Sequence, residues 1–303
     1  MSYLHSFEVG TRANRQQAPL TIDQIAQYAP SALATRPHES RSDRYTYIPT
    51  VNVIEGMIRA GFQPFSASQS RSRVEGKSEF TKHMIRFRHA DQMQASVGDV
   101  LPEVILVNSH DGTSAYKLIA GMFRLVCSNG LMVADSTTGS VSVMHKGNIV
   151  AEVVEASNGI IEQAGKALKA AEAWGQLQLT AGEQSAFAEA AHTVRFADSE
   201  GKVTTPITAA QLLQARRTDD QGADLWHTFN RVQENTIKGG LTARQADTFN
   251  ERGRRERGRL VSTRQVKGID QDVKLNRALW QLAERMAELK AVPLGPREYI
   301  SGS

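Results

Sequence analysis

The stretch VILVNSHDGTSAYKLIAGMFRLVCSNGLMVAD, Val104 to Asp135, reads as strands joined by two tight turns. Val104 to Val107 is a continuous apolar run, the pattern of a strand covered on both faces, and Asp111-Gly112 supplies the backbone freedom a turn needs. β-Compatible residues resume from Tyr116 to Val126, and Asn129-Gly130, a pair suited to a type I′ turn, leads into a third strand, Leu131 to Val133. The pattern is that of an antiparallel meander. Asn108, Ser109, His110, Asp111, Cys127, Ser128 and Asn129 then fall at strand ends or turns, where polar side chains close hairpins or line a site.

Working upstream, Phe62 to Arg73 and Phe80 to His89 read as two extended segments around the polar tip VEGKSE, a long hairpin. Its pleat places Arg86 and Arg88 on one face and Ile85 and Phe87 on the other, so the strand is expected to pack on a core while showing two guanidinium groups outward. Val51 to Ala60 carries an amphipathic helical pattern stopped by Gly61, and Thr21-Ile22-Asp23-Gln24 is a capping box for a short helix that Pro30 should end. Arg36 to Arg44 is polar and loop-like.

Downstream, Val141 and Val143 alternate with serines as one more strand, and from Ile149 the hydrophobic period changes to that of a long helix, weakened at Gly159 and Gly165. Thr180 to Glu183 and Thr208 to Gln211 are further capping boxes. Leu225, Phe229 and Val232 mark a helix that Gly239-Gly240 should terminate, and Leu275, Leu279, Leu282, Met286 and Leu289 mark a last one before Pro293. The expected class is α+β: an antiparallel sheet with a long basic hairpin packed against helices, followed by a mostly α-helical half. The expected division is an α+β sheet domain with an N-terminal arm over residues 1–148 and a helical domain over 149–303.

The 303 residues carry a net charge of only +4, unevenly spread. Arg71, Arg73, Lys77, Lys82, Arg86 and Arg88 outnumber Glu75 and Glu79 in the hairpin; Arg252, Arg254, Arg255, Arg257, Arg259, Arg264 and Lys267 outnumber Glu251 and Glu256 near the C-terminus. The remainder is mildly acidic. Two local positive patches favour a polyanionic partner, and arginine is suited to bidentate pairing with phosphate. His83, Phe87 and His89 in the hairpin would add stacking surfaces if accessible. The run ERGRRERGR fits either an exposed helix or a flexible basic loop that orders on a phosphate backbone; Gly253 and Gly258 favour the loop.

Other function classes find little support. The single Cys127 excludes an intramolecular disulfide, and the N-terminal segment lacks the apolar core of a secretory signal, so a cytoplasmic protein is expected. No apolar run approaches the ~18 residues of a membrane span. The eight histidines show no metal-ligand spacing, Asp99, Glu103, Asp111 and Asp135 show no paired nuclease spacing, and no phosphate-binding glycine loop precedes Lys77. No metal or cofactor is therefore expected. His110, Asp111 and Cys127 are weak catalytic candidates: an imidazole could deprotonate the thiol, but a turn Asp before Gly is ordinarily an Asx-turn residue and a lone Cys a small core residue.

The segments SRSRVEGKSEFTKHMIRFRH, VNSHDGTSAYKLIAGMFRLVCSNGL, DLWHTFNRVQENTIKGG and LNRALWQLAER resemble the phage/plasmid-like proteins grouped as domain of unknown function 932, from about Thr21 to about Leu289. The resemblance implies a home on mobile elements and names no activity. The order of elements also resembles single-strand annealing proteins of the Rad52 and RecT type, by analogy only. The leading expectation is a non-catalytic protein that binds single-stranded DNA and promotes annealing or recombination, with the hairpin arginines and the ERGRRERGR arginines on the strand; the analogy would also imply a homo-oligomer. The alternatives are an interaction protein that blocks a host defence or restriction system through its helical half, partnered by a host or phage protein, and a nucleic-acid-processing enzyme using the turn cluster around His110.

Overall fold

The computed structural model describes residues 18–39, 47–72, 74, 76–92, 100–124, 129–132, 140–143 and 148–291. They fall into two compact units: one joins the chain up to Glu172 with Val266–Arg277, the other joins Ala173–Gln265 with the chain from Ala278.

The first unit is built on the expected antiparallel sheet. Helix α1 (Ile22–Tyr28) starts at the Thr21 capping box, and α2 (Thr50–Arg59) is followed by Gly61, whose φ of 91° suits only glycine. Strands β1 (Phe62–Gln69) and β2 (His83–His89) form the long hairpin, and β3 (Val100–Asn108) and β4 (Tyr116–Arg124) continue the sheet. Strands β5 (Asn129–Met132) and β6 (Ser140–Val143) both pair with β4, at opposite ends of it. One expectation shifts here. Asn129 and Gly130 pair with Arg124 and Phe123, so they belong to the strand rather than to a turn, and residues 125–128 lie outside the described set.

One sheet face carries His83, Ile85, Phe87, Leu106 and Tyr116, all fully buried. The long helix α3 (Ile149–Gln176) runs through Gly159 and Gly165 without a break. It approaches α2 so closely that a Cβ on Gly56 would lie 2.3 Å from a Val150 methyl. The opposite sheet face carries Met84, Ile105, Val107 and Ile119, and Ile269 completes this cluster. Ile269 opens the last helix, α7 (Ile269–Ala291), so a segment distant in sequence covers what the pleat alone leaves open.

The second unit contains α4 (Ala181–Phe196), the four-residue α5 (Ala209–Leu212) and α6 (Leu225–Lys238), with the capping boxes at Thr180 and Thr208 formed as expected. Trp174, Phe229 and Trp280 make its aromatic core, the Trp174 and Trp280 rings lying 4.4 Å apart. Helix α6 is buried almost all round, and its polar side chains bond the preceding loop: Arg231 donates to the carbonyls of Asp220 and Gly222, and Asn235 to those of Leu212 and Gln214. Leu289, expected on the apolar face of α7, is instead 55% exposed. Among the described residues no helix is long and apolar enough to cross a membrane.

Candidate nucleic-acid interface

The segment expected as a loop is a two-stranded ribbon. Strand β7 (Thr242–Arg244) pairs with β10 (Leu260–Ser262), and β8 (Thr248–Phe249) pairs with β9 (Arg255–Glu256), nested inside it. Local polar groups, invisible to hydrophobic periodicity, make the strands. The Asn250 side-chain carbonyl accepts the backbone N–H groups of Arg252 and Arg254 at 3.1 and 3.0 Å, and Gly253 turns the chain at φ 69°. Asp247 accepts the Gly258 N–H at 2.8 Å and pairs with the Arg255 guanidinium. A Cβ on Gly258 would stand 1.9 Å from the Gln245 carbonyl oxygen, so this close approach requires glycine.

Arg252, Arg254, Arg255, Arg257 and Arg259 are all exposed on this ribbon. Among the described residues only Arg255 of the five has an ion pair. Phe249 stands directly across from Arg255 and is 71% exposed; Leu260 stands across from Arg244 and is 58% exposed. Sequence reading misses Phe249 and Leu260 because neither sits in a recognisable pattern.

The hairpin behaves differently. Arg86 and Arg88 are not outward: they are 6% and 2% exposed, and Glu103, 1% exposed, lies between them. The Glu103 carboxylate accepts from Arg86 Nε at 2.5 Å and from Arg88 Nε at 2.9 Å, and the Arg88 guanidinium is sandwiched between the Phe65 and Phe123 rings at 4.2 and 4.1 Å. Burial lowers the Arg88 pKa while Glu103 opposes the shift. The expected pleat parity holds, but α7 covers that face. Its Asp272, pushed up to about 6 by burial, is opposed by the charge of Arg86, and its Asp270 holds Lys82 at 2.6 Å. Lys77 faces Asp111 at 3.4 Å, Arg71 is exposed, and Arg73 lies outside the described residues. His83 and Phe87 are enclosed, and the His89 ring packs edge-on against Phe62, so His83 and Phe87 offer no stacking surface.

The turn residues around His110 form a buried polar network whose centre is Thr50. Its hydroxyl lies 3.0 Å from His83 Nε2, 3.1 Å from His110 Nε2, 3.3 Å from the Tyr116 hydroxyl and 3.0 Å from Asn108 Nδ2. A hydroxyl offers one proton and two lone pairs. Asn108 must donate, and the Tyr116 hydroxyl donates to the Ile48 carbonyl. Burial, reinforced by the neighbouring His110, pulls the His83 pKa down to about 3, so this ring is neutral at neutral pH. Its Nδ1 faces the Thr81 carbonyl at 3.3 Å and its Nε2 then accepts from Thr50. That leaves His110 Nε2 to donate to Thr50.

Asp111 is an Asx-turn residue: its Oδ1 accepts from the Thr113 N–H and hydroxyl at 3.0 and 2.6 Å. Burial alone would raise its pKa, but the bonds from Thr113, Ser109 and Lys77 outweigh this and hold the carboxyl below the ordinary range. Asn108, Ser109 and His110 are fully buried, whereas Cys127, Ser128, Asp99 and Asp135 lie outside the described residues. Among the described residues no cluster of His, Cys, Asp or Glu is placed to hold a metal ion.

Residues 37–280 match the family described as Domain of unknown function (DUF932). The chain belongs to this family. Both the Thr50 network and the arginine ribbon fall inside the matched DUF932 region. Two Escherichia coli (strain K12) relatives, the UPF0380 proteins YafZ and YfjQ, are each 44% identical over 272 residues, covering 90% of this chain and 93% of theirs. No solved structure matches.

Proposed function

We propose that this DUF932 protein binds single-stranded DNA through the ribbon Thr242–Ser262 and promotes strand annealing or recombination without catalysing bond chemistry, in the mobile-element setting that the family resemblance implies. The observation that carries this reading is the exposure of all five arginines from Arg252 to Arg259 on one ribbon. Guanidinium groups pair bidentately with phosphate oxygens, and a ribbon already held by backbone hydrogen bonds spares most of the ordering cost that a flexible loop would carry. The enclosed His110 favours a framework role for the turn cluster, since a catalytic imidazole must meet its substrate.

The test is binding of a fluorescent oligo(dT) by the purified protein, together with the annealing rate of two complementary strands. The wild type should bind and accelerate annealing, and Arg252→Glu with Arg254→Glu should weaken both without lowering the melting temperature. Wild-type protein that binds no oligonucleotide at low salt would remove the proposal and return attention to a protein partner.

A further inference from the structure

We infer that Phe249 is a base-stacking platform that makes the ribbon select unpaired strands over duplex, an inference that rests on the DNA-binding reading above. Phe249 is the most exposed large hydrophobic side chain among the described residues, at 71%, and it projects from the one ribbon on which the arginines cluster. An exposed phenyl ring gains nothing from water, so its position calls for a partner with an apolar face. The surrounding charge specifies what else that partner carries.

In the β8/β9 pairing Phe249 is directly opposite Arg255, which places the two side chains on the same face as cross-strand neighbours. Arg255 is tied to Asp247, which holds its guanidinium on the ribbon rather than leaving it to wander. Asn250, next to Phe249, closes the turn through the backbone of Arg252 and Arg254, so two more arginines start from positions set by the same turn. A flat apolar surface on a ribbon that carries exposed phosphate-binding cations matches a nucleotide with its base exposed. Stacking of this kind tolerates any sequence because every base has a π-face. In a duplex the faces are already stacked on one another, so Phe249 has nothing to engage and only the arginines bind.

Phe249→Ala and Phe249→Trp separate this from simple charge attraction, because neither alters an arginine or the Asn250 and Asp247 bonds that shape the ribbon. Phe249→Ala should weaken oligo(dT) binding about ten-fold while leaving affinity for a hairpin duplex and the salt dependence unchanged. Phe249→Trp should keep the affinity and acquire an indole emission quenched by oligo(dT) but not by inorganic polyphosphate, which has charge and no bases. Equal loss on single strand and duplex, no loss at all, or quenching by polyphosphate overturns the stacking role and leaves the arginine interface standing. A wild-type dimer seen by light scattering that Phe249→Ala dissociates shows instead that a second copy of the chain covers the ring, which also overturns it. A wild type that binds neither oligo(dT) nor duplex removes both this inference and the DNA-binding reading.

Discussion

Glu103 is the residue on which the covered face of the hairpin depends, because its one carboxylate faces two guanidinium groups out of water. Removing one partner of a buried ion pair leaves an uncompensated charge, so Glu103→Gln is expected to cost about 3–5 kcal/mol in urea unfolding. A loss below about 1 kcal/mol would mean that water enters the site. Reversing Arg86 and Arg88 to Glu should likewise destabilise the protein, placing three carboxyl groups together. The buried His83 and the half-buried Asp272 act on stability with opposite signs. His83, with its pKa lowered from 6.5 to about 3, contributes stability that is complete above pH 6.5 and lost as the pH falls toward 3. Asp272, with its pKa raised from 3.8 to about 6, contributes stability that is complete below pH 3.8 and lost as the pH rises through 6. Between about pH 4 and 6 the two slopes oppose, each about 1.4 kcal/mol per pH unit at most. Asp272→Asn removes only the second, so its stability should fall more steeply with acid than that of the wild type. Parallel curves over that range would place Asp272 in water.

Among the elements, the ones signalled by local chemistry were legible in the sequence. The capping boxes at Thr21, Thr180 and Thr208, the stops at Gly61 and Gly239, and the alternation of β2 and β6 each depend on residues within a few positions of one another. The ribbon was not legible, because its strands are two or three residues long and Asn250, Asp247 and Gly258 hold them by backbone bonds that leave no hydrophobic period. Gly258 tests that origin. Since any Cβ there would overlap the Gln245 carbonyl, Gly258→Ala should open the ribbon, with hydrogen exchange accelerating across Thr242–Arg244 and Leu260–Ser262 while the helical core keeps its protection. Unchanged protection would show that the approach relaxes without cost. Gly159 is the contrary case: it lies within α3, and a Cβ added there would meet nothing within 4 Å, so Gly159→Ala should raise stability by about 0.4–1 kcal/mol in urea unfolding.

At the scale of the whole molecule, the contacts that sequence reading could not supply are the distant ones. Lys82 and Asp270 are separated by 188 positions, and nothing near Arg86 announces that α7 will cover it; a separation of 60 positions from His110 likewise hid Thr50 as the centre of the turn network. What the charge pattern did convey was an uneven distribution behind a net charge of only +4, and this allows local contact to be separated from the field of the entire protein. Changing Arg252, Arg254 and Arg257 to Gln, or exposed Lys166, Lys169 and Lys202 to Gln, removes three positive charges in either case and takes the chain from +4 to +1. If phosphates bind at the ribbon, each contact releases counterions, and the slope of log affinity for oligo(dT) against log salt falls by about 0.7 per contact removed. The arginine variant should therefore lose slope and affinity together, and the lysine variant should keep the wild-type slope. Equal losses in both variants would mean that the net charge of the molecule, rather than the exposed guanidinium groups of one ribbon, attracts the strand.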